Sequence, residues 1–158
     1  MFVGLLTSSS CWWYSFNGAS IPPEVETYTV KRFEDNILVN PNLSQELTQA
    51  LIEKLASETN LSPVSQDGDV VFSGVITGYN VRSVASSGGD IAAQDELRIT
   101  VNVNFENQVL DDQNWEQSFN ALSNFDRNVN FNSVETTLVE EINEQLVNDI
   151  FNRAFVNW

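Results

Sequence analysis

The stretch Leu97-Arg-Ile-Thr-Val-Asn-Val-Asn-Phe-Glu106 decides the fold, because apolar and polar side chains alternate along it without a break. Successive side chains of a β-strand point to opposite faces of the sheet. The alternation therefore predicts a strand whose apolar side chains lie on a core and whose polar side chains face water.

The segments on either side predict two further strands of the same sheet. Val70 to Arg82 is rich in β-branched residues, and Gly74 and Gly78 within it indicate a bend or a close backbone approach. A loop at Ser86 to Asp90 would join it to the central strand as an antiparallel hairpin. After the loop from Val109 to Asn114, three apolar residues alternate with polar ones in the next strand: Trp115, Phe119 and Ala121.

An earlier strand and a first helix precede this sheet. Tyr28 to Phe33 predicts a short strand, and Ser44 to Glu58 predicts a helix with Ser44 as its N-cap. Its apolar residues recur at helical spacing and fall on one face: Leu47, Ala50, Leu51 and Leu55.

A second helix is predicted from about Asn132, where Asn132 and Glu135 have the spacing of a capping box. Its apolar stripe is Val134, Leu138, Ile142, Leu146 and Ile150. The last turns are apolar around most of the circumference. That composition fits either a helix end packed under the sheet or an exposed patch for a partner.

The order of these elements predicts an α+β fold. A strand, a helix, three strands and a helix make a two-layer sandwich, with a sheet of about four strands and two helices on one face. We expect residues 25–158 to form a single domain of this kind.

Composition excludes several classes of function. The chain has 158 residues, 22 acidic and 7 basic, and a formal net charge of −15, which argues against binding to nucleic-acid phosphates. It has no histidine and one cysteine, so neither a histidine-based catalytic site nor a zinc site of the usual kind can form. We expect no cofactor and no enzyme, although carboxylate chemistry alone is not excluded.

The single cysteine, Cys11, cannot form a disulfide within the chain. It follows a short apolar start and small residues, the order found at the end of a bacterial lipoprotein signal peptide. Residues 1–10 are therefore interpreted as a short signal peptide, Cys11 as the lipid attachment site, and residues 11–24 as an aromatic and proline-containing linker. No Lys or Arg precedes Lys31, unlike a usual signal peptide, and a free cysteine in an N-terminal tail is the alternative.

The linker also carries a family resemblance. Cys11-Trp-Trp-Tyr-Ser-Phe-Asn-Gly-Ala-Ser-Ile-Pro-Pro23 resembles the start of the mature LptE-type lipopolysaccharide-assembly lipoproteins of Bacteroidetes-like bacteria. The resemblance continues along the chain. It includes the segment Val39-Asn-Pro-Asn-Leu-Ser44, the predicted strands at Gly74-Val-Ile-Thr-Gly-Tyr79 and Leu97-Arg-Ile-Thr-Val-Asn-Val103, and the predicted helix at Glu140 to Phe151.

The resemblance implies an outer-membrane lipoprotein that faces the periplasm. It would be the small, non-catalytic subunit of the lipopolysaccharide translocon, would sit inside the large β-barrel subunit, help it assemble and plug it, and bind lipopolysaccharide. The alternative is a free-standing envelope lipoprotein that binds a ligand or another envelope protein.

Two sets of residues are candidates for these contacts. Arg82 and Arg98 lie on adjacent predicted strands and could hold a phosphate together, although pairing with nearby Glu or Asp is the alternative. Four asparagines give the sheet an uncharged, hydrogen-bonding outer face that would suit the polar interior of a barrel: Asn102, Asn104, Asn120 and Asn124.

Overall fold

The computed structural model of the chain describes residues 21–84 and 93–156. The signal peptide, Cys11, most of the linker and the loop from Ser86 to Asp90 lie outside the described residues. The described elements are β1 (Thr27–Val30), β2 (Glu34–Asp35), α1 (Leu43–Glu58), β3 (Ser62–Pro63), β4 (Val70–Val84), β5 (Gln94–Asn107), a 3₁₀ turn (Asp111–Gln113), β6 (Trp115–Asp126) and α2 (Phe131–Phe155).

The strands form one mixed sheet in the order β3-β1-β4-β5-β6, with β2 also paired to β4. The three long strands β4, β5 and β6 pair with one another in antiparallel fashion, while β1 and β2 both run parallel to β4. The α+β class with two helices on one sheet face is confirmed. The sheet has six strands rather than about four, because β2 and β3 are two-residue bridges that sequence periodicity cannot reveal.

The apolar face of β5 forms the centre of the core. Its five alternating side chains are completely buried: Leu97, Ile99, Val101, Val103 and Phe105. Phe72 and Ile76 of β4 and Phe119 and Ala121 of β6 lie directly opposite members of this row. The leucines of α1 and the apolar stripe of α2 pack onto the same face. The predicted division into a core face and a water face is confirmed.

The C-terminal turns of α2 are packed against the sheet rather than exposed. The rings of Phe72 and Phe105 each lie 6.1 Å, centroid to centroid, from the ring of Phe155. The apolar residues of these turns are all buried: Val147, Ile150, Phe151, Ala154 and Phe155. The all-round apolar composition therefore closes the core, and the alternative of an exposed patch is wrong for these residues.

Ser44 is not the N-cap of α1. The helix begins at Leu43 after Asn42, and Ser44 lies buried in its first turn. The Ser44 hydroxyl donates to the carbonyl oxygen of Phe33 and accepts a hydrogen bond from Nε of Arg32 at 3.3 Å. The serine thus ties the segment between β1 and β2 to the helix, a use that depends on tertiary contact.

The capping box predicted for α2 is also wrong. Asn130 is the N-cap, and its side-chain oxygen accepts from the backbone N–H of Asn132 at 3.0 Å. The carboxylate of Glu135 instead accepts from the hydroxyl of Tyr79 at 2.6 Å and from the amide of Asn40 at 3.3 Å. Glu135 therefore links the start of α2 to β4 and to the loop before α1.

A β-bulge in β4 decides which of its side chains reach the polar face. The pairing with β5 slips between Ile76 and Gly78, so Thr77 has no partner opposite. Ile76 faces the core before the bulge, and Arg82 stands opposite Glu96 on the polar face after it. Without the extra residue, the alternation would turn Arg82 toward the core.

Gly74 is enclosed by a neighbouring side chain and a neighbouring backbone carbonyl group. A methyl group added there would lie 2.5 Å from a ring carbon of Phe33 and 2.6 Å from the carbonyl oxygen of Asn102. We expect Gly74→Ala to lower the free energy of unfolding of the full chain by about 2 kcal/mol, measured by urea denaturation, because the core must shift to accept the methyl group.

Gly78→Ala is the matched control for this prediction. A methyl group added at Gly78 would lie 3.0 Å from the side chain of Thr100, which is on the polar face of the sheet. Gly78→Ala should lower the free energy of unfolding by clearly less than Gly74→Ala does. Equal losses for the two variants would contradict the role assigned to Gly74.

Candidate functional site

The polar face of β4, β5 and β6 is the candidate functional surface. Opposite residues of antiparallel strands project to the same face, so the register aligns rows of mostly polar side chains across the three strands. Three of these rows are Arg82–Glu96–Asn124, Val75–Asn102–Ser118 and Ser73–Asn104–Glu116.

The four predicted asparagines lie together on this face, and three of them bind neighbouring charged side chains. The amide of Asn102 donates to Glu116 at 2.6 Å, and that of Asn104 donates to Glu106 at 2.8 Å. The face is therefore not free of charge, in contrast to the uncharged face expected from the asparagines alone. The third, Asn120, accepts from Arg98 at 2.7 Å, and both Asn120 and Asn124 are exposed on β6.

Arg82 and Arg98 do come together, and Glu96 lies between them. Nε of Arg82 is 2.9 Å from Oε1 of Glu96, and Nη2 of Arg98 is 3.1 Å from the same oxygen. Arg98 also donates to the side-chain oxygen of Asn120 at 2.7 Å. Pairing with a nearby carboxylate, the alternative considered for these arginines, is thus the arrangement in the structure.

Burial sets the electrostatics of this cluster. The Glu96 side chain is only 8% exposed, whereas that of Arg82 is 62% exposed. Burial by itself raises the pKa of Glu96, but the hydrogen bonds and charges of Arg82 and Arg98 outweigh it and hold the pKa below its ordinary value. The cluster therefore carries one net positive charge, displayed mainly by the outward end of Arg82.

A second pair of cations lies beside the asparagines and was not singled out from the sequence. Lys31 and Arg32 line a hollow of about 230 Å³ on the polar face, together with Ser73, Asn102 and Asn104. Neither has a carboxylate partner within 4 Å among the described residues. They are the only two adjacent basic residues in the chain, a signal that the sequence did offer.

Two kinds of feature are absent from residues 21–84 and 93–156. No helix there has the length and apolar character needed to cross a bilayer. No three Asp, Glu or Cys side chains there are grouped closely enough to hold a metal ion.

Comparison with known proteins identifies the family. The family model for lipopolysaccharide-assembly proteins, LptE, matches residues 25–154. No curated protein matches the chain by sequence.

Several solved structures share the fold. A minor lipoprotein from Acinetobacter baumannii is 14% identical with a TM-score of 0.52, covering 80% of this chain and 91% of that one. The hypothetical protein CT253 from Chlamydia trachomatis is 8% identical with a TM-score of 0.55, covering 82% and 98%. Lipoprotein B from Nitrosomonas europaea is 12% identical with a TM-score of 0.53, covering 90% and 88%. At these identities the likeness is one of fold alone.

The lowered pKa of Glu96 predicts a pH dependence of stability. The ionised carboxylate stabilises the folded chain above the unfolded-state pKa of about 4.3, and this contribution is lost as the pH falls through the lower folded-state pKa. The difference in free energy of unfolding between the wild type and Glu96→Gln should therefore be largest near neutral pH and shrink in acid.

Urea denaturation at a series of pH values measures this difference. Glu140→Gln, which removes an exposed carboxylate that has no partner among the described residues, gives the baseline. A Glu96→Gln difference that stays constant into acid would contradict the ion-pair role of Glu96.

Proposed function

The chain belongs to the lipopolysaccharide-assembly (LptE) family, and from this premise we propose that it is the small, non-catalytic subunit of an outer-membrane lipopolysaccharide translocon. The domain sits within the lumen of a large β-barrel partner, helps that barrel to assemble and plugs it. The family match over residues 25–154 carries this proposal, since it spans all six strands, the whole of α1 and all but the last residue of α2.

Attachment to the outer membrane is proposed to occur through a lipid on Cys11, with the domain facing the periplasm. Residues 11–24 separate the lipid from the domain, and an extended segment of that length can reach at most about 50 Å. The domain can therefore enter a barrel lumen while its lipid stays in the surrounding membrane.

Removal of the thiol tests this anchor. We expect Cys11→Ala to move the protein from the membrane fraction to the soluble fraction of cells that lack the barrel partner, because no lipid can then be attached. Ser10→Ala, which keeps the thiol, is the control and should stay in the membrane fraction. A Cys11→Ala protein that remains membrane-bound without its partner would contradict the proposed anchor.

The polar face of the sheet is proposed as the surface that meets the barrel wall. Barrel interiors are lined by polar side chains. On this face the carboxylates of Glu106 and Glu116 already accept hydrogen bonds from asparagines, and Glu96 is paired with two arginines. When such satisfied groups are buried against a polar wall, few charges are left without a partner.

Two new charges on β6 test this interface. Ser118→Glu with Asn124→Glu places carboxylates at exposed positions of the face. We expect co-purification of the barrel from detergent extracts to fall about tenfold or more, because unpaired carboxylates would be buried at the contact. Asn120 is avoided since Arg98 would neutralise a glutamate there.

A matched variant changes the net charge equally on the helix side of the domain. Thr137→Glu with Asn152→Glu alters two exposed residues of α2 and should leave the yield of barrel unchanged. Equal yields from both double variants would exclude the polar face as the interface. Wild-type chain that brings down no barrel at all would favour the free-standing lipoprotein instead.

The arginine–glutamate cluster is our candidate for contact with the phosphates of lipopolysaccharide. The outward end of Arg82 is exposed, and its terminal nitrogens have no hydrogen-bond partner among the described residues. A phosphate there can accept charge-assisted hydrogen bonds, while the Glu96 carboxylate opposes its approach.

Changing the charge of the cluster in both directions tests this contact. Glu96→Gln should tighten the binding of lipopolysaccharide to the purified chain, and the neutral triple variant Arg82→Gln, Glu96→Gln, Arg98→Gln should weaken it, each measured by surface plasmon resonance. Lys54→Ala removes one positive charge on the helix side of the domain and serves as the control. An equal or greater loss of lipopolysaccharide affinity in that control would contradict the assignment of the phosphate to Arg82 and Arg98.

A further inference from the structure

A groove of about 780 Å³ runs between α1 and α2, away from the polar face of the sheet. The positions that line it recur every three or four residues on each helix, so one face of α1 and one face of α2 form its walls. Ala50 and Val147 are its only apolar lining residues. The groove is therefore lined by polar residues of two helices, whose aliphatic stems form part of its walls, and is not a gap in the core.

The groove is strongly acidic. Five glutamates line it, against a single lysine: Glu46, Glu53, Glu58, Glu140 and Glu144, with Lys54. The lysine is already engaged, since Nζ of Lys54 is 3.5 Å from Glu58 and lies over the ring of Phe151. Three of the glutamates have no hydrogen-bond or ion-pair partner for their carboxylates among the described residues: Glu46, Glu140 and Glu144.

Asn143 is a buried polar residue of the same groove. This asparagine also lines the groove, is only 5% exposed, and sits in the buried stripe of α2 between Ile142 and Leu146. Its side-chain oxygen has no hydrogen-bond donor within the described part of the chain. A buried acceptor without a donor destabilises the free domain, and an apolar residue would continue the stripe. Asn143 therefore points to a donor that arrives with a ligand.

We propose that this groove binds an extended, basic segment of a partner protein. Charge complementarity selects lysine or arginine side chains for the glutamates, and rotation of the Asn143 side chain on binding lets its buried oxygen accept from an N–H group of the segment. A lone metal ion does not fit, because the acidic side chains of the described residues form no group of three that could coordinate one. The proposal does not depend on the translocon role.

The spacing of the acidic side chains predicts the pattern of the segment. Glu140 and Glu144 are four residues apart on α2, which is about 6 Å along the helix axis. Alternate side chains of an extended peptide lie on the same side and are about 6.6 Å apart. Basic residues at every second position therefore match the acidic wall of α2, whereas a compact block of positive charge does not.

Binding of defined peptides to the purified full chain tests this inference. The probe is a fluorescent ten-residue peptide of alternating lysine and serine, and fluorescence anisotropy gives its Kd. We expect Glu140→Gln with Glu144→Gln to weaken binding about tenfold, the combined effect of two exposed ion pairs. Asp111→Asn with Asp112→Asn removes two exposed carboxylates at the far end of β5 and should have little effect.

Asn143→Leu separates recognition from folding. It should unfold at the same or a higher urea concentration than the wild type and yet bind the alternating peptide more weakly. A peptide with the same lysines in one block should bind less well than the alternating one. Three results would each overturn the proposal. They are an equal loss of peptide affinity in the two charge variants, equal binding of the two peptides, and full displacement of the alternating peptide by equimolar spermidine.

Discussion

Burial of one face of β5 is the constraint on which the rest of the structure depends. Its five alternating apolar side chains have no exposed surface, and each strand beside it must present an apolar row of its own to the same core. A shift of one residue in the pairing register of either neighbour would turn its apolar side chains toward water. The registers of β4 and β6 are therefore set by this face, and α1 and α2 exist as stable helices because they cover it.

The same constraint creates the functional surface. Once every second residue of β5 is committed to the core, the others must share the opposite face with their partners on β4 and β6. The bulge at Thr77 then moves Arg82 onto that face, where it meets Glu96 and Arg98. The helices, in turn, use their inner sides for the core and leave the acidic groove on their outer sides.

The sequence predicted the features that depend on periodicity. The alternation in β5 gave the sheet its two faces, and it also placed Asn102 and Asn104 together. What it missed depends on contacts between distant residues. β2 and β3 are recognisable only by their pairing with β4 and β1. The local pattern predicts Ser44 as a cap, whereas its actual partner, the carbonyl oxygen of Phe33, is eleven residues away and cannot be read from that pattern. The groove arises only when α1 and α2 lie side by side.

Site-specific photo-crosslinking in living cells measures most directly whether the polar face meets the barrel. A photoreactive phenylalanine analogue at Asn120 or Asn124 should give a covalent adduct of the size expected for this chain plus the barrel. The same analogue at Asp149, exposed on α2 outside the groove, should give none. Adducts from Asp149 in equal yield, or none from either asparagine in cells that make the barrel, would contradict an interface on the polar face.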